Sequence, residues 1–99
     1  MKTFDDLKFK KHRLGKGHIQ GLLMLDNGIE LSVVAGTQIC SAGKTGVRAA
    51  VDNPEDVSLF EVAIFDKDGN IIGTAVDNDD MILAFQSRED INKLIKYFS

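Results

Sequence analysis

The sequence predicts an α+β domain: a mostly antiparallel sheet of four to five strands, built around two hairpins, with a C-terminal helix. Three observations predict it. Strand-like alternation flanks Asp26-Asn27-Gly28, and apolar stretches flank Asp66-Lys67-Asp68-Gly69-Asn70. Apolar residues recur at helical spacing near the C-terminus. One polar stretch, Asp52-Asn53-Pro54-Glu55-Asp56, separates the strand-rich halves, and neither half is long enough to build its own core. The 99 residues therefore form a single domain.

In chain order, a short strand over residues 7–11 is expected at an edge. Residues 19–25 and 29–34 form the first hairpin, because Asn27 and Gly28 both tolerate the positive φ of a tight turn. Ile29, Leu31 and Val33 share one face against Glu30 and Ser32. Residues 57–65 and 71–76 form the second hairpin. There Phe60, Val62 and Ile64 alternate with Glu61 and Ala63. Residues 81–85 fit either a strand or a first helical turn. Ser87 then caps a helix, with Asp90 at the capping-box position. Glu89 and Asp90 suit its positive end, Lys93 and Lys96 its negative end. Ile91, Leu94, Ile95 and Phe98 make its buried stripe. Leu22, Met24, Leu59 and Phe65 fall on the opposite faces of their strands. They need a second cover, either the 36–56 segment or another subunit, so a homo-oligomer is expected.

Composition narrows the function. Hydrophobic residues make up 43% and charged residues 27%, a globular balance rather than a disordered one. The single cysteine, Cys40, allows no internal disulfide, and a reducing compartment is expected. The early acids Asp5 and Asp6 do not suit a signal peptide. The apolar run of residues 22–25 is far too short to cross a bilayer. The net charge of −3 hides an asymmetry: residues 1–51 carry eight Lys and Arg against four acids, residues 52–99 four against eleven. Lys8, Lys10, Lys11, Arg13 and Lys16, with His12 and His18 nearby, read either as a guarded strand edge or as an anion-binding strip. Overall acidity argues against direct nucleic-acid binding.

Ser41-Ala42-Gly43-Lys44-Thr45-Gly46-Val47-Arg48 echoes the end of a phosphate-binding loop. Gln38 stands where that motif needs its first glycine, and no convincing helix follows, so nucleotide hydrolysis is not expected. A flexible surface loop is one reading. The other is that backbone N–H groups with Lys44 and Arg48 hold a phosphate. Asp66-Lys67-Asp68-Gly69-Asn70 and Asp77-Asn78-Asp79-Asp80 lack calcium-loop spacing. His12 and His18 have no ligand partner at metal spacing. No catalytic constellation can be argued around Cys40 or elsewhere, so no enzyme activity, metal or cofactor is expected.

Several segments, in order along the chain, resemble a family of small accessory proteins of tailed bacteriophages. They are Leu7-Lys8-Phe9 with His12, His18-Ile19-Gln20, Leu25-Asp26-Asn27-Gly28 with Ser32-Val33-Val34, Leu59-Phe60-Glu61-Val62-Ala63, Asp68-Gly69-Asn70, Asp79-Asp80-Met81-Ile82, and Ser87 with Glu89-Asp90. Ile29-Glu30 departs from the Tyr-Gly expected after the turn, and residues 37–57 are longer than usual. The resemblance implies a protein of the infected bacterium's cytoplasm that counters host defence, in some relatives by sequestering a signalling nucleotide. The expected function is a non-catalytic binder that captures a small anionic ligand, such as a cyclic nucleotide, between subunits. Lys44 and Arg48 are the first candidate contacts, Arg13 and His18 the second, and Phe4, Phe9 or Tyr97 could stack on a base. One alternative is a protein–protein inhibitor whose Asp77, Asp79, Asp80, Glu89 and Asp90 mimic nucleic acid. Another is a minor virion or assembly component.

Overall fold

Asn27-Gly28 closes the first hairpin as its turn chemistry requires. In the computed structural model, which describes residues 2–12, 15–37, 41–43, 49–72 and 82–99, Gly28 adopts φ 90°. Its N–H donates to Leu25 O, and Leu25 N–H donates to Ile29 O at 2.7 Å. The turn joins β2 (His18–Met24) to β3 (Glu30–Gly36), which pair antiparallel. β1 (Lys8–Lys11) adds to β2 as an edge.

β5 (Val57–Phe65) pairs with β3 on one side and β6 (Ile82–Gln86) on the other. The chain thus has an α+β fold with an antiparallel sheet and one C-terminal helix, α1 (Arg88–Phe98), among the described residues. The ambiguous segment before the helix is a strand. A sixth strand, β4 (Ala42–Gly43), was not foreseen. β4 pairs antiparallel with β5, Ala42 opposite Leu59 and Gly43 opposite Val57.

The second hairpin starts as expected. Asp66 Oδ1 accepts from the N–H groups of Asp68 and Asn70, both at 2.9 Å. Ile71 bridges Phe65, and Ile72 N–H donates to Ile64 O at 2.8 Å. Residues 73–76 of the expected strand lie outside the described residues.

Ser87 caps α1 reciprocally: its Oγ accepts from Asp90 N, and Asp90 Oδ2 accepts from Ser87 N, both at 3.0 Å. This satisfies donors that a helix N-terminus leaves orphaned. Ile91, Leu94 and Ile95 are buried against Ile19, Leu23, Leu31, Val33, Phe60, Val62, Ile64 and Leu83. The sheet's other face carries Leu22, Val34, Ala63, Leu59 and Phe65, all half-buried, with Met24 and Ile82 about half exposed. Among the described residues, α1 and Phe4 pack only on the core face.

Two stability outcomes follow from this packing. Ile91→Ala and Leu94→Ala should each destabilise by roughly 2–4 kcal/mol, while Tyr97→Ala, 56% exposed, should cost less than about 1 kcal/mol. Equal losses in urea melts would remove the stripe. Gly28→Val should cost more than Gly69→Val. Both positions have positive φ, near 90° and 84°, but a Cβ at Gly28 would also meet Lys67 Cβ at 2.9 Å, whereas Gly69 has open space. Equal tolerance would show that the contact between the two turns is slack.

Candidate functional site

The residues that follow the basic stretch 44–48 meet the turn between β1 and β2 at one corner of the sheet, and glycine makes this possible. The connection from β1 to β2 is tight: Gly15 N–H donates to His12 O at 2.9 Å and His18 N–H to Gly15 O at 3.2 Å. Gly17 has φ 85°, and Ala50 Cβ lies 2.9 Å from where its Cβ would be. Val51 N–H donates to Gly17 O at 2.9 Å. The chain after residue 48 is therefore anchored on the turn that carries Lys16. Before residue 44, Gly43 is fixed in β4, where its carbonyl accepts from Ser58 Oγ at 2.7 Å.

The end of β3 closes the corner. Gly36 has φ 153°, and a Cβ there would stand 2.2 Å from His18 Cδ2, inside the imidazole. His18 is buried, with Nδ1 3.3 Å from Lys16 O and Nε2 3.4 Å from Thr37 Oγ1. A carbonyl only accepts, so Nδ1 is the donor in the contact with Lys16 O. Ser41 Oγ accepts from Gly36 N at 3.1 Å and donates to Gly36 O at 3.3 Å. One buried hydroxyl thus pins both backbone groups of the residue where β3 ends.

Of the candidate ligand contacts, Lys44, Arg48 and Arg13 lie outside the described residues, as does Cys40. His18 is described, and its ring is built into the corner rather than offered to solvent. Lys8, Lys10, Lys11 and Lys16 are exposed. The first three line the outer strand, where lysine opposes pairing with another chain.

Phe4 and Phe9 are unavailable as stacking partners. They pack on each other and on Phe60, with ring centroids 5.3–5.8 Å apart. Tyr97 is exposed but sits near the end of α1, edge-on to Phe98. Of the acidic alternative, Asp77, Asp79 and Asp80 lie outside the described residues. Asp90 is engaged in the helix cap, and Glu89 pairs with Lys93 at 3.9 Å.

Arg88 is a structural feature that no motif announced. Its guanidinium donates to Val57 O at 2.8 Å and Pro54 O at 2.5 Å. It also lies 5.1 Å from the Phe4 ring centroid and 5.3 Å from that of Phe60. It borders a cleft of about 270 Å³ with Phe4, Leu7, Phe9 and Glu55, but its donors already face carbonyls. A second cleft of about 270 Å³ lies at Lys2, Leu25, Asp26, Asn27 and Ser99.

Among the described residues, no group of three His, Cys, Asp or Glu is placed to hold a metal ion. Among them also, no helix is long and apolar enough to cross a membrane. No family model, curated protein or solved structure matches the chain.

The contact between Gly36 and His18 can be measured directly. Gly36→Ala should destabilise by about 1–3 kcal/mol, the usual cost of forcing an extra methyl into a packed site. In a His18→Ala background part of that cost should vanish, leaving a coupling of at least about 0.5 kcal/mol in a double-mutant cycle. Strict additivity would mean that the ring does not rest on the glycine.

Proposed function

We propose that the chain is a non-catalytic binding protein that captures a small anionic ligand of the cyclic-nucleotide class and so blunts a host antiviral signal. The observation that carries the binding part is the anchoring of Ala50 and Val51 on Gly17. It supports the reading because the segment containing Lys44 and Arg48 and the turn containing Arg13 and Lys16 then have their described flanks at one end of the sheet. Cations drawn from two separate loops suit a compact polyanion better than an extended one. Loops held by a rigid sheet are also where binding residues are commonly found. The host-defence part rests on the resemblance to bacteriophage accessory proteins, and with it the cytoplasm of the infected cell as the site of action.

The test is a thermal-shift screen against cyclic mono- and dinucleotides, with inorganic phosphate as a control, followed by titration. A ligand that binds only the folded chain must raise the melting temperature. Arg48→Ala should weaken binding by about 1.5–3 kcal/mol, the range for hydrogen bonds to a charged group. Arg48→Lys should restore only part of it, because an ammonium cannot make the bidentate contact. Melting without ligand controls for folding. Unchanged affinity in a Lys44→Ala, Arg48→Ala double variant would remove the corner as the site.

A further inference from the structure

We propose that the edge of β1 turned away from β2 receives an extended segment of a partner protein, as an added strand in which acidic and apolar residues alternate. The hydrogen-bond register defines this edge. His12 N–H donates to His18 O at 3.0 Å, and the ladder continues with Lys10 opposite Gln20 and Lys8 opposite Leu22. Bonded pairs alternate with unbonded ones in an antiparallel ladder. Lys8 and Lys10 therefore turn their backbone groups toward β2, whereas Phe9 and Lys11 turn theirs away from it. Among the described residues β1 ends the sheet, and these outward groups have no backbone partner. Main-chain bonds of this kind hold an added strand, and pockets for alternate side chains select it.

A pocket for one such side chain is present. Phe9 on β1 and Phe60 on β5 have ring centroids 5.7 Å apart, although β2 and β3 lie between those strands. Three strand spacings in a flat sheet come to about 14 Å, so the sheet curls toward its core side. The cleft of about 270 Å³ beside Arg88 is open space on that side of β1, lined by Leu7 and Phe9 together with Pro54 and Glu55 from the approach to β5. Its apolar walls suit an aliphatic side chain. The exposed carboxylates of Asp5 and Glu55, which also line it, disfavour an acid there.

Charge selects the residues on either side of it. Lys8 and Lys10 alternate with Phe9 and so face the other side of the sheet. Both are exposed, and neither forms an ion pair among the described residues. Gln20 beside Lys10 is already given to Ser32, Nε2 donating to Oγ at 2.9 Å. Opposite charges facing each other across a strand pair stabilise it, and like charges weaken it. A second copy of β1 is thus the wrong occupant. Antiparallel pairing of Phe9 with Lys11 sets Lys10 against Lys10, and pairing of Phe9 with Phe9 sets Lys8 against Lys10 twice. Acids opposite Lys8 and Lys10, with an apolar residue between them opposite Phe9, match both sides of the strand at once.

The test is fluorescence-anisotropy titration of a short labelled peptide, blocked at both ends and centred on Glu-Leu-Glu, with the intact chain. Saturable binding with a dissociation constant below about 1 mM is expected. A Lys-Leu-Lys peptide should not bind. A peptide of the same composition with its two Glu adjacent should bind at least about threefold more weakly, because only alternation puts both acids on the lysine side. Lys10→Glu should weaken binding at least about fivefold, and exchanging the facing Glu of the peptide for Lys should restore it. Lys11→Ala and Lys11→Pro separate charge from backbone. The Lys11 N–H makes no bond within the sheet, so both variants should melt close to wild type. Lys11→Pro should nevertheless bind at least about fivefold more weakly than Lys11→Ala, through loss of the outward donor. No binding up to about 1 mM, equal binding of the alternating and rearranged peptides, or equal affinity of the two Lys11 variants would each overturn the proposal.

Discussion

Phe60 is the side chain on which distant parts of the fold converge. It lies at the middle of the core face of β5 and is fully buried. Phe4 from the N-terminal turn and Phe9 from β1 pack on its ring, and the Arg88 guanidinium at the start of α1 lies over it. Burying such a ring is worth about 1.5–3 kcal/mol, and each well-placed aromatic neighbour adds about 0.5–1.5 kcal/mol. Arg88 is half-buried there, and the carbonyls of Val57 and Pro54 accept from its two terminal nitrogens, so the side chain also fixes the corner where the chain turns into β5.

A core concentrated on one side has a consequence for the other. The sheet has one helix to cover it among the described residues, and α1 is drawn to the face that holds Phe60. The opposite face therefore keeps a mixture of half-buried aliphatics, two polar groups bonded to each other, and charges at its margins.

Local chemistry was legible in the sequence. Asn27-Gly28 and the reciprocal Ser87–Asp90 cap each specify their geometry within a few residues, and both form as read. The alternation in β3 and β5 fixed which residues face the core, and Leu22, Met24, Leu59 and Phe65 do lie on the far face. Long-range pairing was less legible. Ala42-Gly43 has no alternation to betray a strand. Its partners on β5 are remote in sequence, Leu59 opposite Ala42 and Val57 opposite Gly43. The burial of His18 was equally hidden, since it depends on Gly36, eighteen positions away, offering no Cβ. In the candidate site, the cations could be named from composition. Their flanks meet through the contact of Gly17 with Ala50, which no local pattern encodes.

That contact also bears on how a binding corner could work. Gly43 and Ala49 bound a connection of five residues, 44–48. Its entry is fixed by the Ser58 hydrogen bond and, just upstream, by Ser41 gripping Gly36. Its exit is fixed one residue on, by Ala50 and Val51 on Gly17. Loop-closure entropy is a cost that folding has then already met for this segment, and a ligand need not bring its ends together again. Ordering the side chains would oppose binding by about 0.5–1.5 kcal/mol for each long side chain immobilised. A charged hydrogen bond contributes about 1.5–3 kcal/mol, so two such cations can bind a phosphate with a net gain. The glycines at 17 and 36 bear on the proposed function for this reason: by letting backbone and ring approach without a Cβ between them, they fix the flanks of the basic segments.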